Sequence, residues 1–223
     1  MKFSEVNQKI AVCWFDGRTP SAQVDDCDSR ATWRHKLECL FFVTAFFLVC
    51  FYGADRVAEF RAVKIDFSMQ FEPLVPFVAY SFVVYASAPV FCLVLLASER
   101  RSRALLAWRN AMCTAICLAA IAFIAMPSAP FLSNLHRFAP EFERVILLLT
   151  GQHNHFPSLH VTLTVASLVL LIPVRERRRR RLFCLWAIGI VASTLSTHQH
   201  TLLDVAGGLV LAVLVVYRFG DLR

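Results

Sequence analysis

Charge is sorted along this chain, and that sorting restricts its fold more than any other feature. Six apolar stretches, Leu37–Ala54, Leu74–Ala97, Ala111–Phe131, Pro157–Val174, Leu182–Ser196 and Leu202–Phe219, hold few ionisable residues, and every Lys and Arg lies outside them or at their ends. Each stretch is near the roughly 20 residues that cross about 30 Å of hydrocarbon, the last three being shorter. A soluble domain usually carries about 25% charged and 45–50% apolar residues, whereas this chain has 17% and 57%. That balance excludes a disordered tail, a collagen-like fibre and a small disulfide scaffold. The expected fold is all-α: a polytopic membrane protein with a six-transmembrane-helix bundle over residues 37–223. Residues 1–36 are expected to form a polar cytoplasmic tail, with no apolar run behind a basic start and so no signal peptide.

Orientation follows from the Lys/Arg bias of short loops. Ser98–Arg109 holds Arg100, Arg101, Arg103 and Arg109 against Glu99, and Arg175–Arg181 holds six arginines against Glu176. Asp55–Glu72 is mixed, and Leu132–Phe156 has only Arg137 and Arg144 against Glu141 and Glu143. Six spans with both termini in the cytoplasm place both arginine-rich loops inside, in the plasma or inner membrane. The run Arg177–Arg181 therefore reads as a topology signal that meets anionic lipid, and no nucleic-acid partner is expected. None of the eight cysteines forms a C-x-x-C pair, so they read as small packing residues or reduced thiols.

Histidine placement carries the chemical signal. Of seven, all but His35 fall within residues 132–200: His136, His153, His155, His160, His198 and His200. In the expected topology all six face the exterior. Taking Arg178 as the middle of the inner turn, His160 lies 18 residues before it and His200 lies 22 after it. At 1.5 Å per helical residue the two arms differ by roughly 6 Å, so a helical hairpin returns both imidazoles to a similar depth.

Asp204 follows His200 by four residues, which puts them on one helical face. A carboxylate there can fix the imidazole tautomer and raise its basicity, and an ionisable group inside an apolar span is a functional candidate by default. Pro157 suits a helix start, where backbone N–H groups favour an anion and Ser158 can add its hydroxyl. Gly207 and Gly208 read as packing positions that let helices approach closely.

Together, Pro157-Ser158-Leu159-His160 and Ser193-Thr194-x5-His200-x3-Asp204 resemble the second and third motifs of the type-2 phosphatidic acid phosphatase (lipid phosphate phosphatase) superfamily, P-S-G-H and S-R-x5-H-x3-D. The resemblance runs from about Leu74 to the C-terminus. Leu159 replaces the motif glycine, Thr194 replaces the motif arginine, and the first motif, K-x6-R-P, has no counterpart near Met126–Phe131. The P-S-L-H form is similar to the inositol-phosphorylceramide-synthase branch. The resemblance implies the six-helix bundle and a metal-independent reaction without cofactor on a lipid phosphate or diphosphate. It implies that His200, oriented by Asp204, attacks phosphorus to form a phosphohistidine while His160 protonates the leaving oxygen, with Ser158 holding phosphate oxygens. Arg137, Arg144 and His198 are the candidates to replace the missing phosphate clamp.

Three alternatives stay open. The acceptor in the second step decides between a phosphatase and a lipid phosphotransferase, and the motifs leave it unread. The pairs His153-x-His155 and His198-x-His200 could hold a metal, although zinc also wants a closed ligand set. A transporter without chemistry could use Asp204 and the histidines to line a pathway. Oligomeric state has no signature in the chain.

Overall fold

The computed structural model describes residues 31–70, 72–129, 151–172 and 177–222. Its helices are α1 (Trp33–Glu59), α2 (Ser81–Ala86), α3 (Ala88–Ser98), α4 (Ser102–Ala125), α5 (Leu159–Leu171), α6 (Arg177–Ser196) and α7 (Leu202–Phe219), with 3-10 turns at Glu72–Leu74 and Gly220–Leu222. Among the described residues, four helical segments are long and apolar enough to cross a membrane: Trp33–Glu59, Ser81–Ser98, Ser102–Ala125 and Leu202–Leu222. Helix α5 is apolar but has 13 residues, and α6 opens on five arginines. The expected second span, Leu74–Ala97, differs from the helix found. Pro76 cannot donate a backbone hydrogen bond and disfavours helix before it, and regular α-helix begins only at Ser81.

Cross-helix hydrogen bonds define the passes. Along α6, Ser196 Oγ donates to Ser81 Oγ (2.8 Å), Trp186 Nε1 to Ser87 Oγ (2.9 Å) and Arg179 Nη2 to Ser98 Oγ (3.3 Å), so α6 runs antiparallel to α2 and α3. Trp108 Nε1 of α4 donates to Ser167 Oγ of α5 at 2.8 Å. At the start of α1, Lys36 Nζ donates to the Ala97 carbonyl (2.6 Å) and the Ala31 amide to that of Arg100 (2.9 Å). The arginine-rich corners and the start of α1 thus share one end of the bundle. At that end burial opposes the charge on Glu99, yet hydrogen bonds from Arg101 and from the main chain hold its carboxyl below the usual range.

Helix α4 is the central rod, with Ala104, Ala111, Ala115 and Ala119 fully buried and neighbours α1, α5 and α7 packed around it. Small side chains there let the surrounding helices come close. Outward faces are apolar instead: Phe41, Val83, Ile121, Leu185, Ile188 and Val213 are all more than half exposed. Water tolerates few contiguous apolar patches of that kind, whereas a bilayer solvates them.

At the other end, main-chain groups tie α5 to α7. The Ser158 amide donates to the Asp204 carbonyl at 3.0 Å. The Thr162 hydroxyl lies within hydrogen-bond reach of two carbonyls, Ser158 at 2.9 Å and Gly208 at 3.0 Å. A Cβ on Gly208 would stand 2.6 Å from the Ser158 carbonyl oxygen, so this crossing requires glycine. Residues 151–154 are pinned separately. Asp55 Oδ1 of α1 accepts from the Gln152 and His153 amides (3.1 and 3.0 Å), and Asn154 Nδ2 donates to the Phe51 carbonyl (3.0 Å).

Three substitutions test this packing. Gly208→Ala will lower thermal stability in detergent by about 1–3 kcal/mol, the usual cost of overpacking. Gly53→Ala, with open space around it, will be neutral or stabilising. Asp55→Ala will remove two charge-assisted hydrogen bonds, each about 1.5–3 kcal/mol, and hydrogen exchange at the Gln152 and His153 amides will accelerate at least tenfold.

Candidate active site

Helix α7 opens with a reciprocal cap. Thr201 Oγ1 accepts from the Asp204 amide (3.2 Å) while Asp204 Oδ2 accepts from the Thr201 amide (2.8 Å). A Ser/Thr three residues before an acid or amide side chain favours this geometry. It fixes the Asp204 carboxylate, and the same Oδ2 lies 3.6 Å from His200 Nδ1. That separation is an ion-pair distance, longer than a formed hydrogen bond, and Asp204 Oδ1 and His200 Nδ1 have no hydrogen-bond partner. Apo catalytic contacts are commonly long and shorten around substrate. With Nδ1 turned to the carboxylate, Nε2 is the nitrogen that His200 can offer to a ligand.

His160 comes from the first turn of α5. Its ring lies 6.0 Å from that of His200, centroid to centroid, tilted by 55°. Tyr85 of α2 stacks on His160 at 4.1 Å and 21°, with its hydroxyl 3.3 Å from His160 Nδ1. This contact fixes the ring plane and engages Nδ1, so Nε2 is the nitrogen left to a ligand. His155 is the third imidazole, 6.0 Å from His200 in an edge-on arrangement. Desolvation by surrounding protein pushes it down to about 4, with the neighbouring His200 acting in the same direction, so it is neutral at pH 7.

Other residues marked in the sequence fall elsewhere. Ser158 is fully buried and serves as the N-cap of α5, its Oγ accepting from the Val161 amide at 3.4 Å. His198 adopts φ 53° and turns away, its Nε2 lying 2.9 Å from the Val75 carbonyl and its ring packing edge-on against Phe77. Arg137 and Arg144 lie outside the described residues. Of the two histidine pairs, His153 is held at the Ser128 carbonyl (3.0 Å) while His155 and His200 face one another. Among the described residues no three His, Cys, Asp or Glu side chains converge as metal ligands.

Two residues reach the site that the phosphoryl-transfer reading of the sequence does not include. His155 stood in the sequence only as half of a possible metal-binding pair, two residues before Pro157. Tyr85 had no signal, since it sits in an apolar run among other aromatics.

The three rings border a cavity of about 330 Å³ lined by α1, α3, α4 and α5, including Phe47, Cys92, Trp108, Met112 and Leu163. Its walls are overwhelmingly apolar, and polar groups gather at the histidine end. Such a chamber suits a ligand with an apolar body and one charged head.

No curated protein and no solved structure matches this chain. The sequence model of the PAP2 superfamily matches residues 72–218, which leaves α1 outside and takes in His155, His160 and His200. A chain whose described residues are helical, with four membrane-length apolar helices among them, and which the model matches over most of its length, belongs to the PAP2 superfamily and is an integral membrane enzyme of the phosphoryl-transfer type.

Proposed function

We propose that this protein is a membrane-embedded, metal-independent phosphatase that hydrolyses a lipid phosphate or diphosphate through a phosphohistidine on His200. The observation that carries this reading is the facing pair His160 and His200, with Asp204 behind the second, at the polar end of an apolar cavity. A phosphoryl group between the rings has a nucleophile on one side and a proton donor on the other. His200 Nε2 attacks phosphorus and Asp204 stabilises the cation that forms on the ring. His160 gives its proton to the departing lipid oxygen, then accepts one from water as the phosphohistidine is hydrolysed.

Ser158 serves this reading through placement, since its cap sets the first turn of α5 and with it His160. Neutral His155 is an N–H donor toward the phosphate oxygens, in a chain that lacks the K-x6-R-P clamp. Arg137 and Arg144 remain proposed headgroup contacts. The arginine-rich corners share one end of the bundle and the histidines lie at the other, which supports six spans, cytoplasmic termini and an external active site.

A lipid phosphotransferase of the same fold, as in the inositol-phosphorylceramide-synthase branch, differs only in the acceptor. The apolar cavity favours it as a second reading, because a lipid hydroxyl could reach the phosphohistidine from that side. Labelled lipid phosphate with candidate acceptors separates the two. Free phosphate is expected from hydrolysis and a new labelled lipid from transfer.

Wild-type protein quenched during turnover will carry acid-labile, base-stable phosphate, and His200→Ala will carry none and lose at least 1000-fold in kcat. Asp204→Asn will lose about 100-fold or more while still binding substrate, as an orienting carboxylate should. His155→Ala will raise KM more than it lowers kcat. In the free protein His155 gains its proton only as pH falls through about 4, whereas an unfolded chain takes it near 6.5. The ring thus costs stability progressively below about pH 6.5, and NMR titration of its ring protons will show the depressed midpoint.

A further inference from the structure

The connection from α1 to α2 holds the turn that carries His200 from both sides. Before His200, the Val78 amide donates to the Ser196 carbonyl at 2.9 Å, and His198 Nε2 donates to the Val75 carbonyl at 2.9 Å. After it, Glu72 Oε1 accepts from the Leu202 amide at 2.6 Å, while Oε2 accepts from the Met69 amide at 3.1 Å. The connection is itself anchored near its start. The Ile65 amide donates to the Pro127 carbonyl and the Ala129 amide to the Ile65 carbonyl, each at 2.8 Å. Phe67 stacks on Phe156 at 4.7 Å.

Each contact answers a local need of the turn. Leu202 is the first residue of α7, where a backbone amide has no partner inside the helix. The reciprocal cap serves the amides of Thr201 and Asp204, and Glu72 takes the one between them. His198 stands at φ 53°, a conformation that usually falls to glycine just after a helix. Other residues keep such a conformation only where their surroundings determine it. Here the Val75 carbonyl and the Phe77 ring hold the His198 side chain.

We propose that Glu72 and His198 are positioning residues, which together fix the turn Thr197–Thr201 so that His200 meets Asp204 and faces His160. The inference rests on His200 being the reactive imidazole of the phosphatase reading. In this assignment neither residue touches the substrate; each acts through the backbone on one side of His200. A catalytic group misplaced by about 1 Å can cost 100-fold in rate, so loss of the brace falls on kcat and spares substrate binding.

The test measures phosphate release from diacylglycerol phosphate and from an isoprenoid diphosphate in detergent micelles. Rates are taken for full-length protein, per folded protein recovered as a monodisperse peak. Glu72→Ala is expected to lose at least tenfold in kcat with KM within about threefold of wild type. Glu72→Gln keeps an acceptor for the Leu202 amide and is expected to stay within about threefold in kcat. His198→Gly suits the left-handed backbone but cuts the tie to Val75, so it separates strain from positioning. It is expected to lose at least tenfold in kcat, and it carries the test alone where Glu72→Ala yields no folded protein. Wild-type kcat in Glu72→Ala or His198→Gly, a loss in Glu72→Gln equal to that in Glu72→Ala, or a loss confined to KM overturns this assignment. The phosphatase reading then stands as long as His200→Ala abolishes release. Activity that survives His200→Ala, or release from neither lipid by wild type, overturns both.

Discussion

The arrangement of the site depends on one close crossing, where α5 and α7 approach through main chain rather than side chain. Ser158 donates to the Asp204 carbonyl, Thr162 reaches across to the Gly208 carbonyl, and the missing Cβ of Gly208 lets the Ser158 carbonyl fit against the helix. Interhelical hydrogen bonds and small residues drive helix association where lipid removes the hydrophobic difference between inside and outside. His160 is two residues beyond Ser158, and Asp204 is four before Gly208. The contact that locks the helices therefore also sets the distance between the two imidazoles. Neither histidine takes part in the crossing, so the scaffold can hold while the chemistry is altered.

The polar end of the bundle is organised so that its acids are committed before a substrate arrives. Asp204 is tied into the cap of α7, Asp55 into the 151–154 loop, and Glu72 accepts the Leu202 amide with one oxygen and the Met69 amide with the other. Each carboxylate accepts from at least one backbone N–H group, and Asp204 also lies beside His200. Under the proposed function, a phosphate between the rings meets imidazoles, with Asp204 behind His200 as the nearest of these acids. In a water-poor pocket such preorganised donors act far more strongly than in water.

Much of this was legible in the sequence because it rests on periodicity and composition. Apolar blocks with arginines between them marked the rods, and hairpin arms of similar length around Arg178 placed His160 and His200 together. The four-residue step from His200 to Asp204 suggested one helical face, whereas His200 lies in the turn before α7 and the cap at Thr201 brings Asp204 to it. Local backbone geometry hid the rest. His153, His155, His198 and His200 form two pairs of equal spacing, yet one member of each faces inward. The choice depends on the Ser128 carbonyl for the first pair and on a left-handed residue at His198 for the second. Ser158 reads as a phosphate ligand in the sequence, and what the sequence left out is that its hydroxyl oxygen caps α5. Tyr85 required tertiary packing to be recognised.

Helix α1 lies before the stretch matched by the superfamily, and it still contributes two things to the site. Asp55 and the Phe51 carbonyl anchor the loop that carries His155, and Leu40, Val43 and Phe47 form one wall of the cavity. The facing imidazoles come from α5 and the turn before α7, while the space beyond them is shaped by α1 and α4. Under the proposed function, phosphoryl transfer needs a nucleophile, a proton donor and a held phosphate, and binding the rest of the molecule is a matter of cavity shape, which comes partly from a helix that the shared motifs do not include. In that reading reaction and selectivity are carried by different elements, joined by the short loop from Gly151 to Phe156.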